Sequence, residues 1–283
     1  MQMRGRLAQV YMAQGVKGVC QDATLVRYRP CGTQLDRVAV FDGVSFGKLA
    51  SGGTLAAHAA MQAFQKRVPL RKAAKIAQKA IREAILDKGL DITDPRECFA
   101  TTAIAVDLDF DNRVMHWLYI GDGLLLVINK DGSWCEPAIR PKQDEAMHSA
   151  LFNLRGKGLS IQQKRKEVDS HIAAARFLAN REASGFSLLN GDPRVLQVMQ
   201  QGVIRLDEVA HVIMATDGLE FMPTSLEEKG VERFVSEIAM GGGLGDIHRK
   251  IREQFKEADY HEKIITEKRG HDDAAGIHVM IGE

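Results

Sequence analysis

Three apolar runs in this sequence end in Asp-Gly: Val38-Ala39-Val40-Phe41-Asp42-Gly43, Leu118-Tyr119-Ile120-Gly121-Asp122-Gly123 and Val212-Ile213-Met214-Ala215-Thr216-Asp217-Gly218. A fourth segment reverses the order, with Gly270-His271-Asp272-Asp273 ahead of the apolar stretch Ile277 to Ile281. A strand that delivers a carboxylate at its end, repeated along a chain, assembles acids at one edge of a sheet. Such a cluster is costly unless cations neutralise it. Hard divalent ions prefer oxygen ligands, so Mg or Mn is the natural occupant. Asp-Gly alone is also a strong hairpin signal, because Gly tolerates positive φ and Asp bonds its own backbone. Lys130-Asp131-Gly132 is read as such a turn.

The elements that would position these acids follow from periodicity. Residues 6–12, 22–28 and 37–42 read as strands. Thr54 to Lys66 is Ala-rich at helical spacing, and Leu70 to Leu86 sets Ala73, Ala74, Ala77, Ala80, Ile81, Ala84 and Ile85 on one face with Lys and Arg opposite. Gly89 supplies a C-terminal stop. The pair predicts an antiparallel helical hairpin covering a sheet. Ala100 to Leu108, Val114 to Ile120 and Leu124 to Ile128 read as a β-meander joined by polar turns. The turn from Asp107 to Asn112 lacks the Gly and Glu of an EF-hand loop, so calcium is not assigned there. Residues 141–182 are polar and helical in pattern, and Lys164, Arg165, Lys166, Arg176 and Arg181 give them a basic face. Phe186 to Leu189 and Val212 to Ala215 return to strand character, Glu227 to Met240 and Leu244 to Ala258 are amphipathic helices, and a strand at 274–281 closes the chain. Gly241-Gly242-Gly243-Leu244-Gly245-Asp246 lies between two helices, so it reads as a connection capped by Asp246 rather than a phosphate loop. Strands and helices segregate, which argues for an α+β fold: a four-layer α-β-β-α sandwich of two antiparallel sheets flanked by helix pairs. Residues 1–283 are expected to form one domain.

Composition narrows the function classes. The chain has 283 residues, 45% hydrophobic and 27% charged, enough for a sizeable core. Its 38 basic and 37 acidic side chains leave a formal charge of +1, no field for gripping a nucleic acid or an anionic membrane. No apolar run reaches the ~20 residues needed to span a bilayer, and Met1 to Gln14 lacks the apolar segment of a signal peptide. Cys20, Cys31, Cys98 and Cys135 are widely spaced and are expected to be reduced thiols in a cytoplasmic protein.

Taken in order, Gly18-Val19-Cys20-Gln21-Asp22-Ala23, the run ending at Asp42-Gly43, Ile120-Gly121-Asp122-Gly123, Met214-Ala215-Thr216-Asp217-Gly218 and Gly270-His271-Asp272-Asp273 resemble the signature blocks of metal-dependent Ser/Thr protein phosphatases, the PPM or type 2C family. Phe41-Asp42-Gly43 followed by Ser51-Gly52-Gly53 and an Ala-rich helix is most similar to its bacterial branch. The resemblance runs from about residue 10 to 281. It implies hydrolysis of phosphoserine or phosphothreonine on proteins by a metal-activated water at a binuclear Mg or Mn centre. Asp42 would bridge the two ions, Asp217 and Asp272 would complete the first site, and the Gly43 carbonyl would serve the second. Asp22 would bind metal-coordinated waters, and Asp122 would hold a weaker third ion. No side-chain nucleophile is expected. The basic stretch at 141–182 falls where the family carries its flap insertion. A phosphorylated protein is the implied substrate and a Ser/Thr kinase a further partner; neither nucleic acid nor membrane is expected. Three positions depart from the family's pattern. Lys17 stands for the phosphate-binding Arg and can supply charge but no bidentate fork. Gln21 replaces Glu. Val44-Ser45 replace His-Gly, which removes a general acid for the leaving alkoxide. These departures motivate the alternative, a pseudophosphatase of the same fold acting as a binding or regulatory module. Hydrolysis of a small phosphorylated metabolite is a third reading. His271, beside Asp272, reads as an ordinary loop histidine.

Overall fold

The computed structural model describes residues 6–14, 20–30, 34–45, 49–94, 97–141, 160, 163, 179–181, 186–219, 221, 230–257 and 273–282. In chain order the described elements are β1 (Arg6–Ala13), β2 (Ala23–Tyr28), β3 (Leu35–Phe41), β4 (Gly43–Val44), α1 (Gly52–Gln65), α2 (Leu70–Asp87), β5 (Ala100–Thr101), β6 (Ala103–Asp109), β7 (Val114–Ile120), β8 (Leu124–Asn129), β9 (Trp134–Cys135), α3 (Val195–Val198), β10 (Gln200–Arg205), β11 (Val209–Ala215), a 3-10 turn (Asp217–Leu219), α4 (Gly230–Ala239), α5 (Leu244–Glu257) and β12 (Ala274–Met280).

Two five-stranded sheets form, in the orders β1-β12-β11-β8-β9 and β10-β7-β6-β3-β2, with a small β4-β5 ladder beside them. All named pairings are antiparallel. Period-2 alternation sorts the side chains of each strand into two layers. Val38, Val40, Ile104, Val106, Trp117, Val212, Met214 and Ile277 meet between the sheets. Ala39, Phe41, Ala103, Ala105, Leu118 and Ile120 face α1 and α2. Leu124, Leu126, Ile213 and Ala215 face α4 and α5. Because central strands bury both faces, their sequences are nearly unbroken apolar runs.

The helical hairpin matches its sequence pattern. Its buried stripe includes Ala56, Ala57 and Ala60 of α1 and Ala73, Ala74, Ala77, Ile81 and Ile85 of α2, while Ala80 and Ala84 lie at the margin. Gly89 takes φ +68°, and the N–H groups of Gly89 and Leu90 bond the Leu86 and Ile85 carbonyls at 2.9 and 3.3 Å, a Schellman stop. Gly241, at φ +82°, ends α4 the same way, and Asp246 accepts the Gly243 N–H at 3.4 Å as α5 begins. Lys130-Asp131-Gly132 is a hairpin turn, with Gly132 at φ +85°.

Three expectations change. The run from Phe99 to Trp134 is not one meander: β6 pairs with β7, but β8 crosses to the other sheet and pairs with β11. The Gly121-Asp122-Gly123 turn makes that crossing, with Gly121 at φ +112°. Strand β10 has no counterpart in the sequence pattern. Among the described residues it pairs only with β7, and its alternate residues are exposed, so Gln200-Gln201-Gly202-Val203-Ile204-Arg205 carries little apolar signal. Of Phe186 to Leu189, only Leu189 forms a β-bridge, to Thr101. The basic stretch at 141–182 lies almost wholly outside the described residues. No described helix is long and apolar enough to cross a membrane.

Candidate metal centre

Strand register places the acid-bearing segments at one end of the sandwich. Ala23 pairs with Phe41, Val40 with Ile104 and Ala103 with Ile120 in one sheet. Leu124 pairs with Ala215, Ala215 with Gly276 and Ala13 with Ala274 in the other. Asp22, Asp42, Asp122, Asp217 and Asp273 each stand within two residues of that row. Lys17, His271 and Asp272 lie outside the described residues.

Hydrogen bonds clasp the two sheets together at this end. Asp22 is 3% exposed, and its Oδ2 accepts the Thr216 hydroxyl at 2.8 Å. Thr216 Oγ1 in turn accepts the Ala275 N–H at 2.9 Å, while the Thr216 N–H reaches the Ala275 carbonyl at 2.9 Å. The Gln21 N–H donates to Asp273 Oδ2 at 2.7 Å, with Asp273 4% exposed. Gln21 Nε2 donates to the Ala50 carbonyl at 2.9 Å, so the neutral side chain ties its segment to the start of α1. Each of these carboxylates gains a hydrogen-bond donor in a place with little solvent.

Asp42 is fixed through its backbone. Its N–H donates to Thr102 Oγ1 at 3.2 Å. Its carbonyl accepts the Thr102 N–H at 2.9 Å and the Thr101 hydroxyl at 2.8 Å. Glycines around the edge admit backbone where no side chain fits. A Cβ on Gly43 would fall 2.2 Å from the Gln21 carbonyl oxygen, and one on Gly218 would fall 2.0 Å from that of Asp273. Asp217 opens the 3-10 turn immediately after β11. The Asp122 turn is held by the Gly121 N–H to Ser187 Oγ at 3.2 Å and by the Tyr119 hydroxyl to the Gly123 carbonyl at 2.8 Å.

The sequence also carries two nucleophile spacings. Gly43-Val44-Ser45-Phe46-Gly47 matches a serine elbow, but Ser45 Oγ donates to the Ala50 carbonyl and accepts the Gly53 N–H, both at 2.8 Å, and so caps α1. Cys31 and Arg37 have the spacing of a cysteine-phosphatase loop, but Arg37 is 1% exposed. Its guanidinium pairs with Asp107 and donates to the Phe64, Lys66 and Val68 carbonyls. Cys20 is no activated thiol: burial, with the charges of Asp273 and Asp22, holds it above the ordinary thiol range.

Among the described residues, no three His, Cys, Asp or Glu side chains group closely enough to hold an ion by themselves. The chemistry of the donors at this edge, carboxylates and backbone carbonyls, nevertheless fits hard divalent ions. Sequence reasoning assigns no role to Thr216, Asp273, Thr102 or Ser187. Thr216 and Asp273 adjoin assigned acids, and that adjacency is the available signal.

The family model described as protein phosphatase 2C matches residues 12–248. Solved structures of the same fold include the serine/threonine phosphatase Stp1 from Staphylococcus aureus, at TM-score 0.59 and 13% identity over 100% of this chain and 98% of that one. The Mycobacterium tuberculosis serine/threonine phosphatase PstP/Ppp aligns at 0.58 and 13%, over 98% and 99% of the two chains. RsbX in complex with magnesium aligns at 0.52 and 12%, over 97% and 94%. No curated protein matches by sequence.

Proposed function

Because the chain belongs to the protein phosphatase 2C family, we propose that it hydrolyses phosphoserine and phosphothreonine on proteins, with two Mn or Mg ions held at the acidic edge. The observation that carries this is the convergence of Asp22, Asp42, Asp122 and Asp217, from separate segments of both sheets, at one end of the sandwich, with Asp273 beside the sequence position of Asp272. RsbX, of the same fold, was solved in complex with magnesium, which supports the choice of ion.

Asp42 would bridge the ions, with Asp217 and Asp272 on one and the Gly43 carbonyl on the other. Asp122 would serve a weaker third ion. Bound divalent ions lower the pKa of water and neutralise phosphoryl oxygens during in-line displacement. The chain's own residues do the positioning. Thr101 and Thr102 fix the Asp42 backbone, and Thr216 holds one oxygen of Asp22 so that the carboxylate has a defined orientation. Lys17 would supply charge to the substrate phosphate. Residues 1–283 would act as one phosphatase unit with a flap-type insertion at about 141–182.

The test is turnover of p-nitrophenyl phosphate and a phosphothreonine peptide by purified protein, dependent on Mn and abolished by EDTA, together with a rise in melting temperature on adding Mn. A Mn-induced shift without turnover would make the chain a metal-holding pseudophosphatase. Neither response would leave a structural or regulatory module.

A further inference from the structure

Asn180 is 1% exposed and is one of two non-glycine residues at positive φ among those described, at +62°. Asn tolerates the left-handed region better than most residues, but the conformation still has a cost. What it secures is a set of four bonds to one short segment. The Asn180 N–H donates to the Phe186 carbonyl at 2.8 Å. Its Oδ1 accepts the Leu188 N–H at 2.8 Å, and its Nδ2 donates to the Leu188 carbonyl at 2.9 Å and to Asn190 Oδ1 at 2.9 Å.

The carboxamide therefore gives Leu188 both bonds that a neighbouring β-strand would give. On the opposite edge of the same segment, Leu189 exchanges two bonds with Thr101, both at 3.0 Å. This is the alternation of an antiparallel ladder, in which successive residues bond to opposite sides. Asn180 stands in for an outer strand, and the order runs Asn180, residues 186–190, β5, β4.

That ladder ends on the acidic edge. Thr101 Oγ1 donates to the Asp42 carbonyl at 2.8 Å, and Thr101 pairs with Gly43. Ser187, 3% exposed, sits between the two bonded residues Phe186 and Leu188, and its Oγ accepts the Gly121 N–H at 3.2 Å. The segment that Asn180 fixes therefore bonds the turn bearing Asp122 directly and reaches the Asp42 backbone through Thr101.

We propose that Asn180 is a positioning residue for the metal edge: its side chain, substituting for a strand, fixes residues 186–190 and through them the backbones of Asp42 and the Asp122 turn. The metal part of this inference rests on the function proposed for that edge; the backbone part does not.

Amide hydrogen exchange on metal-free protein tests the backbone part directly. In N180D, which keeps the shape but removes the two donors, and in N180G, which relieves the φ but removes every side-chain bond, the amides of Leu188, Leu189, Thr101 and Gly121 should exchange at least tenfold faster. The amides of β11 and β12 should be unchanged. Mn affinity by calorimetry should fall at least fivefold in both variants. S187A, which leaves the Asn180 bonds alone, should speed exchange at Gly121 without affecting Thr101, and keeps the test available should either Asn180 variant fail to fold. Unchanged exchange at Thr101 and Gly121 overturns the inference. So does wild-type exchange in N180G, which would mean that only the backbone turn matters, or unchanged Mn affinity despite faster exchange. Wild-type protein that binds no Mn sinks the proposed metal site instead, and the exchange result then decides the role of Asn180 by itself.

Discussion

Thr216→Val is the sharpest single perturbation of the clasp between the sheets. Valine has threonine's shape, so no cavity opens, and the change isolates one hydroxyl. That hydroxyl donates to Asp22 Oδ2 at 2.8 Å and accepts the Ala275 N–H at 2.9 Å. Its alternative acceptor, the Ala275 carbonyl, is farther at 3.3 Å, so the hydroxyl proton points at Asp22 Oδ2. Valine removes a hydrogen bond to a charged group, worth about 1.5–3 kcal/mol, and orphans a buried N–H, costing about 1–3 kcal/mol. The expected loss is about 3–5 kcal/mol. For 283 residues the unfolding entropy is about 0.6 kcal/mol/K, so melting should fall by about 5–8 °C. Thr216→Ser keeps the hydroxyl and loses one buried methyl, worth about 0.8 kcal/mol and therefore ~1–2 °C. The assay is thermal unfolding by circular dichroism in EDTA, so that metal binding does not contribute. A valine variant that melts with the serine variant would refute the assignment of the clasp to this hydroxyl.

Further outcomes follow from the same structure. Asp217→Asn should abolish most Mn-dependent turnover and weaken Mn binding in calorimetry while leaving the metal-free fold intact, and even stabilised, because repulsion among the carboxylates is relieved; wild-type Mn affinity would remove Asp217 from the site. Lys17→Ala should chiefly raise KM for a phosphopeptide, and Lys17→Arg should keep or lower it through a second hydrogen bond; unchanged kinetics in the alanine variant would place Lys17 away from the phosphate. Burial pushes His278 and His248 each down to about 4, the charge of His211 adding to the first and that of Arg252 to the second. Both are therefore neutral in the folded state while the unfolded state takes up protons below about 6.5. Their contribution to stability is complete above that pH and is lost as pH falls toward 4. Urea unfolding at pH 7 and pH 5 should show the decline, and His278→Gln should make it shallower; an identical slope would contradict it.

Much of this protein is legible along the chain because its signals are local. The periodicity of α1 and α2, the glycine stop at Gly89, the helix connection from Gly241 to Asp246 and the turn at Gly132 depend on residues a few positions apart, and each takes the expected form. The Asp-Gly ends of β3 and β11 are likewise local, since a strand must end where its apolar run does. What could not be read is whatever depends on which segments meet. Nothing local separates a hairpin from a crossing between sheets, so Gly121-Asp122-Gly123 reads as a link in a meander. The spacing of Cys31 and Arg37 resembles a catalytic loop, but burial commits Arg37 to Asp107 and three carbonyls at the corner between α1 and α2. Thr216 as the bond between Asp22 and Ala275 joins residues 194 and 59 positions away from it, and the bonds that make Asn180 a substitute strand, 8 and 10 positions along, follow no periodic pattern. Sequence by itself determined which residues are acidic and that strands would deliver them to an edge. Tertiary structure decided which donors fix Asp22, Asp42 and the Asp122 turn, because a buried polar group must find its partner in space and the fold chooses which one is there.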